Sequence, residues 1–152
     1  MNGIIIFAIL FPSILYSMHI LGEMKKKKIF IVEDEELFAN LLKDYLMRKT
    51  PHEVQLFTTG EAAMEEMHQQ PDVIILDYYL NSKDKEAADG LEILRKLRSN
   101  GSKAHIIILS GQSGFGVAMQ SRFDGAQHYV IKDDSAFERI ELLLAEKKET
   151  ES

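Results

Sequence analysis

The sequence predicts an α/β domain built on a five-stranded parallel sheet with helices covering both faces. Three observations carry this: five short runs of apolar residues rich in β-formers, a helical stretch after each, and connections long enough for crossovers. The 152 residues are 45% hydrophobic and 28% charged, the balance of one globular unit with a single core. A chain this long buries roughly 70% of its unfolded surface, so it needs no disulfide or zinc to fold. The absence of cysteine excludes thiol nucleophiles and cysteine-bound zinc. A net charge of −6 has the wrong sign for holding nucleic acid by counterion release, so no nucleic-acid partner is expected.

Ile29 to Val32 (IFIV) reads as the first strand, and Leu37, Phe38, Leu41, Leu42, Tyr45 and Leu46 then recur at helical spacing. Val54 to Phe57 is the second strand. Glu61 to His68 is the second helix, with Thr59 as its N-cap. Val73 to Leu76 (VIIL) is continuously apolar, as a strand buried on both faces must be. Leu91, Leu94 and Leu97 give the third helix its stripe, and Asn100-Gly101 ends it. Ile106 to Leu109 (IIIL) is the fourth strand, followed by a weaker, glycine-broken helix around Val117 to Phe123. Tyr129 to Ile131 and a helix carrying Phe137, Ile140, Leu143 and Leu144 complete the pattern.

The first 24 residues stand apart. Ile4 to Leu21 is mostly apolar and is followed, after Met24, by four lysines. Three readings fit: a membrane anchor of about 18 residues with its lysine side in the cytoplasm, a gene-start artefact with Met24 as the true start, or a packed or fraying extension. A signal peptide fits less well, because no basic region precedes the run and no small-residue cleavage site follows it.

In an open parallel sheet, ligands bind beyond the carboxyl ends of the strands. Glu33-Asp34 follows the first strand, Asp77 the third, Ser110 the fourth and Lys132 the fifth. Carboxylates that converge on one point repel each other unless a hard cation sits among them, and Mg²⁺ suits such oxygen ligands. A hydroxyl and a lysine on the same rim bind phosphoryl oxygens. The set fits metal-assisted phosphoryl transfer to a carboxylate.

Over about residues 27 to 147 the chain resembles the response regulator receiver domain, in IFIVED (29–34), VIILD (73–77), DG (89–90), IIILSG (106–111) and DGAQHYVIK (124–132). The resemblance implies a flavodoxin-like, doubly wound (βα)5 fold with strand order 2-1-3-4-5 and a receiver domain over 25–148, residues 149–152 being a solvated tail. It implies that Asp77 accepts a phosphoryl group from a histidine kinase or phosphotransfer protein. Asp34, Asp77 and the backbone carbonyl of Tyr79 would ligate Mg²⁺, with Glu33 helping through water. Ser110 and Lys132 would contact the phosphoryl oxygens. Ser110 and Tyr129 would form the switch that reshapes the face of the fourth helix, fifth strand and fifth helix for a downstream protein partner. Such a chain is a cytoplasmic phosphoacceptor that assists its own phosphotransfer and dephosphorylation rather than an enzyme. It would lie on the cytoplasmic side of the inner membrane if residues 4–21 are an anchor. With few residues after the last helix, a single-domain type is expected.

The chain also departs from the family pattern. Asp133 follows Lys132 where the family usually has a cis-linked proline, and a cis bond to a non-proline residue costs roughly 2.5–4 kcal/mol, so the peptide geometry there is left open between cis and a differently placed trans loop. From Asp77 to Gly90 is 13 positions, longer than usual and filled by polar residues. Tyr79 near the start of that loop and Gln112 beyond Ser110 are placed to shield the phosphoryl group from water, or in the case of Gln112 to hold an attacking water.

Other classes fit less well. A haloacid dehalogenase-type phosphatase needs a second Asp two residues after the first, where Tyr79 stands. No G-x-x-x-x-G-K-[ST] loop is present, and GQSGFG (111–116) has neither the spacing nor the position of a dinucleotide loop. A flavin binder has no use for acids where phosphate sits. The remaining rival is a degenerate receiver, a phosphorylation-independent binding module.

Overall fold

The computed structural model describes residues 25–80, 89–111 and 114–146. Five strands alternate with five helices: β1 (Lys28–Val32), α1 (Glu36–Lys49), β2 (Glu53–Phe57), α2 (Gly60–Glu65), β3 (Val73–Asp77), α3 (Gly90–Ser99), β4 (His105–Ser110), α4 (Phe115–Phe123), β5 (His128–Ile131) and α5 (Ala136–Ala145). All strand pairs are parallel, in the order β2-β1-β3-β4-β5. The strands and helices therefore lie where the apolar runs and helical stripes put them.

Parallel strands covered on both faces need apolar residues at every position, and the two-residue period then sorts these between two core layers. Phe30, Val32, Ile74, Leu76, Ile106 and Ile108 face one way and pack against Ala63, Ile93, Leu94 and Leu97 of α2 and α3. Ile29, Ile31, Val73, Ile75, Ile107 and Leu109 face the other way, against Leu42 and Leu46 of α1 and Ile140 and Leu144 of α5. Burying a Leu or Ile contributes about 1.5–3 kcal/mol, so this alternation fixes the register. The register in turn sets β1, β3 and β4 to finish at one edge, with Val32 opposite Leu76 and Asp77 opposite Leu109.

Thr59 caps α2 as expected, its hydroxyl accepting from the Ala62 N–H at 3.2 Å. The predicted helix over Glu61 to His68 is α-helical only to Glu65, and Glu66–Gln69 tightens into a 3₁₀ turn that ends at Gln70 with φ of 52°. Helix α4 begins two residues before the expected Val117. No cis peptide occurs among the described residues, so Lys132–Asp133, whose geometry the sequence left open, is trans. None of the helices among the described residues is long and apolar enough to cross a membrane. The run at 4–21, the loop residues 81–88, Gln112 and the tail lie outside the described residues.

Candidate functional site

Beyond the carboxyl ends of β1 and β3, the carboxylates of Glu33, Asp34 and Asp77 converge with oxygens within 4.8 Å of one another. All three residues are buried. Glu33 is fixed by its backbone, since its N–H donates to the Phe57 carbonyl at 2.9 Å, and its Oε1 accepts from the Glu35 N–H at 3.1 Å. Asp77 closes the fully buried β3, and the next N–H, of Tyr78, donates to the Leu109 carbonyl at 2.8 Å. The strand ladder thus holds both carboxylates in place.

Lys132 enters this cluster from β5. Its N–H donates to the Ser110 carbonyl at 2.8 Å, extending the β4–β5 ladder by one residue. Its ammonium reaches Glu33 Oε2 at 2.6 Å and Asp77 Oδ1 at 3.1 Å and lies 4.8 Å from the centre of the Phe38 ring. Apart from that ammonium, these two oxygens have no hydrogen-bond partner among the described residues. Burial, then the charge of Asp77, pushes the Glu33 carboxyl up to about 7 against the opposing pull of Lys132. Burial disfavours the Lys132 ammonium, but Glu33 and Asp77 outweigh it and raise its pKa above the ordinary lysine value. Three buried carboxylates gathered at one point, with one ammonium among them, are the donor set that a hard divalent cation satisfies.

Ser110 is fully buried at the end of β4, opposite Ile131. Tyr129 is half-buried, packed against the α2–α3 side of the core with Tyr78. Tyr79 is exposed beside the site, its ring T-shaped against Tyr78 at 4.6 Å. The expected site residues therefore share one edge, although the expectations for Gln112 and for the charged loop fall outside the described residues.

Sequence reasoning missed two supports. Phe38 counted only as a helix-stripe residue, yet it sits under the Lys132 ammonium, held edge-on to Phe137 at 5.4 Å. The second is the clamp of Asp133 by Arg139, with guanidinium–carboxylate contacts of 2.9 and 3.2 Å. No periodicity marks a pair that spans the start of a helix.

A parallel sheet ordered 2-1-3-4-5 with helices on both faces defines the flavodoxin-like doubly wound class, and the acidic cluster lies at its carboxyl edge. The chain belongs to the response regulator receiver domain family, which matches residues 29–144. It is 28% identical over 120 residues to the transcriptional regulatory protein MalR of Bacillus subtilis, covering 78% of this chain and 48% of that protein. It is 30% identical over 106 residues to QseB of Haemophilus influenzae, covering 69% and 45%. The chain thus spans about half the length of the curated relatives it matches. Among solved structures it is similar to the signal receiver domain of a LuxO repressor protein of Vibrio parahaemolyticus, at 24% identity and a TM-score of 0.70, covering 80% and 88% of the two chains. Response regulator Rcp1, solved in its Mn²⁺-bound form, aligns at 25% identity and 0.66, covering 83% and 97%. Receiver domains are two-component signalling domains that interact with histidine kinases or phosphotransfer proteins and generally bind Mg²⁺ through acidic residues.

Proposed function

We propose that Asp77 accepts a phosphoryl group from the phosphohistidine of a histidine kinase or phosphotransfer protein, in a Mg²⁺-dependent reaction. The observation that carries this reading is the buried trio Glu33, Asp34 and Asp77, within 4.8 Å, with the Lys132 ammonium against two of its members. One Asp77 oxygen forms the new P–O bond while the P–N bond to the donor breaks, and the imidazole leaves with the electron pair and takes a proton. Asp34, Asp77 and the Tyr79 carbonyl would hold Mg²⁺, with Glu33 helping through water, and the ion would supply neutralisation of charge on the transferring group. Lys132 and the Ser110 hydroxyl take the phosphoryl oxygens, and those contacts draw on Ser110 and Tyr129 as the switch.

The output surface in this reading is the α4-β5-α5 face, presented to a downstream protein partner. Phe115, Met119 and Phe123 stand one turn apart on α4 with relative exposures of 79%, 58% and 90%, an apolar stripe that water alone does not favour. We place the folding unit at residues 25–148, in the cytoplasm where kinase donors act. A chain starting at Met24 is expected to be soluble and phosphorylatable. The expectation that the receiver works without a fused output domain is tested by the mass of the protein recovered from its own cells.

The deciding experiment is labelling with acetyl phosphate and with a histidine kinase donor, in the parent and in Asp77→Asn, alongside Mg²⁺ calorimetry on Asp34→Ala. Labelling should vanish in Asp77→Asn, and Mg²⁺ binding should vanish in Asp34→Ala. Label retained in Asp77→Asn overturns the assignment. A parent chain that binds no beryllofluoride with Mg²⁺ would be a degenerate receiver.

A further inference from the structure

Lys132 must present its ammonium to Asp77 from the point where β5 ends and the chain bends into α5. A lysine carries four rotatable side-chain bonds, so its reach is only as well defined as the backbone that bears it. That backbone is strapped on both sides by one residue. Arg139, on the first turn of α5, donates from Nη2 to the Ile131 carbonyl at 2.6 Å, the residue before Lys132. The same nitrogen and Nη1 hold the Asp133 carboxylate, the residue after Lys132, at 2.9 and 3.2 Å. Nη1 also donates to Ser135 Oγ at 2.6 Å.

The remaining bonds close the same bend. The Asp133 N–H donates to the Ile131 carbonyl at 2.9 Å, turning the chain tightly about Lys132. Asp133 Oδ1 accepts from the Ser135 N–H and hydroxyl, both at 3.0 Å, and the Asp133 carbonyl accepts the Ala136 N–H that starts α5. Arg139 and then Ser135 hold the Asp133 carboxyl below the usual carboxylate range, so it stays ionised at neutral pH. A planar guanidinium suits this task because it meets a carboxylate and a carbonyl in fixed directions.

We infer that Arg139 and Asp133 are positioning residues for phosphoryl transfer, acting through Lys132 by fixing the bend on which it sits. The inference rests on the reading of Lys132 as a ligand of the phosphoryl group. It assigns to an ion pair the rigidity that a proline in place of Asp133 would otherwise give the bend.

The test uses the full chain, folded by circular dichroism, with initial labelling rates from acetyl phosphate measured against donor concentration at saturating Mg²⁺. Arg139→Gln and Asp133→Asn should each lower the maximal rate roughly three- to tenfold, because small misplacement of a group that touches the reacting atoms is costly. Mg²⁺ affinity should stay at the parent value, since neither residue reaches the acidic trio. The double variant should be no slower than the slower single variant. In a Lys132→Ala background, Arg139→Gln should cost nothing further, whereas a purely structural strap would slow both backgrounds alike. Parent-like rates in the single variants, or the same fold-loss with Lys132 absent, overturn the inference. Failure of the phosphoacceptor reading itself would show differently, as a parent chain that takes up no label on Asp77.

Discussion

Lys132 and Glu33 form an ion pair at 2.6 Å that joins the end of β5 to the end of β1, two strands separated in the sheet by β3 and β4. The same ammonium touches Asp77 at 3.1 Å, so one cation offsets the repulsion of the buried acids. Truncating it leaves uncompensated carboxylates in the interior. Lys132→Ala is therefore expected to lose about 3 kcal/mol of unfolding free energy in EDTA, and to regain much of it in saturating Mg²⁺. Urea unfolding under the two conditions measures this. Equal losses with and without Mg²⁺ would mean that lysine and metal do not share the cluster's charge.

The parts of this fold and site that were legible share one physical cause. β1, β3 and β4 are covered on both faces, so their sequences are continuous apolar runs, and a polar residue marks where each run leaves the sheet. Glu33, Asp77 and Ser110 could be placed on one edge for that reason alone, and Lys132 by the shorter, half-buried run of β5 that it follows. The Arg139–Asp133 clamp and the Phe38 contact were illegible, because each depends on how a helix start folds back through space. The exposure of α4 was hidden too. Phe115, Met119 and Phe123 have the spacing of a core stripe, yet Ser121, whose hydroxyl bonds to the Val117 carbonyl, takes the buried side.

His52 carries a pH dependence remote from the acidic cluster. It is buried at the opposite edge of the sheet, and its Nδ1 accepts the Lys27 N–H at 3.3 Å, so the neutral ring is the one that fits. Burial, then the Lys27 charge, lowers its pKa below 6.5, with Asp72 opposing. Above 6.5 the folded and unfolded rings are both neutral and this contribution to stability is complete. Below 6.5 the unfolded chain takes up a proton that the folded chain resists, so stability falls as pH drops toward the folded-state pKa. His52→Gln should flatten that slope. Unfolding free energies on both sides of pH 6.5 check it, and an unaltered slope in the variant would assign the titration to another group.

Tyr79 is expected to set the lifetime of the phosphorylated state. It follows Asp77 by two residues, is 39% exposed, and has its ring braced edge-on by Tyr78. A bulky ring excludes water without special alignment. Tyr79→Ala should speed loss of label roughly two- to tenfold while the rate of phosphorylation stays within a few-fold. Unchanged decay would leave the ring as a partner contact.

Gly90 links the fold to the site most tightly. Its N–H donates to the Tyr78 carbonyl at 3.0 Å, and Asp89 caps α3 by accepting the Glu92 N–H at 2.8 Å, so the first turn of α3 is seated on the peptide that follows Asp77. A Cβ at Gly90 would fall 2.1 Å from the Asp77 carbonyl oxygen and 2.8 Å from Tyr78 Cα. Both are backbone atoms, which cannot rotate away as a side chain does, so the helix start or the Asp77–Tyr79 backbone must move. Gly90→Ala should cost roughly 1–3 kcal/mol of stability. If the Tyr79 carbonyl is a Mg²⁺ ligand, the variant should also weaken Mg²⁺ binding at least several-fold. Leu97→Ala provides the comparison: Leu97 lies on the same helix at 3% exposure, and its truncation should cost about 2–5 kcal/mol while leaving Mg²⁺ affinity intact. Calorimetric Mg²⁺ titration of the two variants separates damage to the helix from displacement of the ligand. Parent-like Mg²⁺ affinity in Gly90→Ala would show that the strain relaxes into α3 and that the peptide after Asp77 holds its place without that glycine.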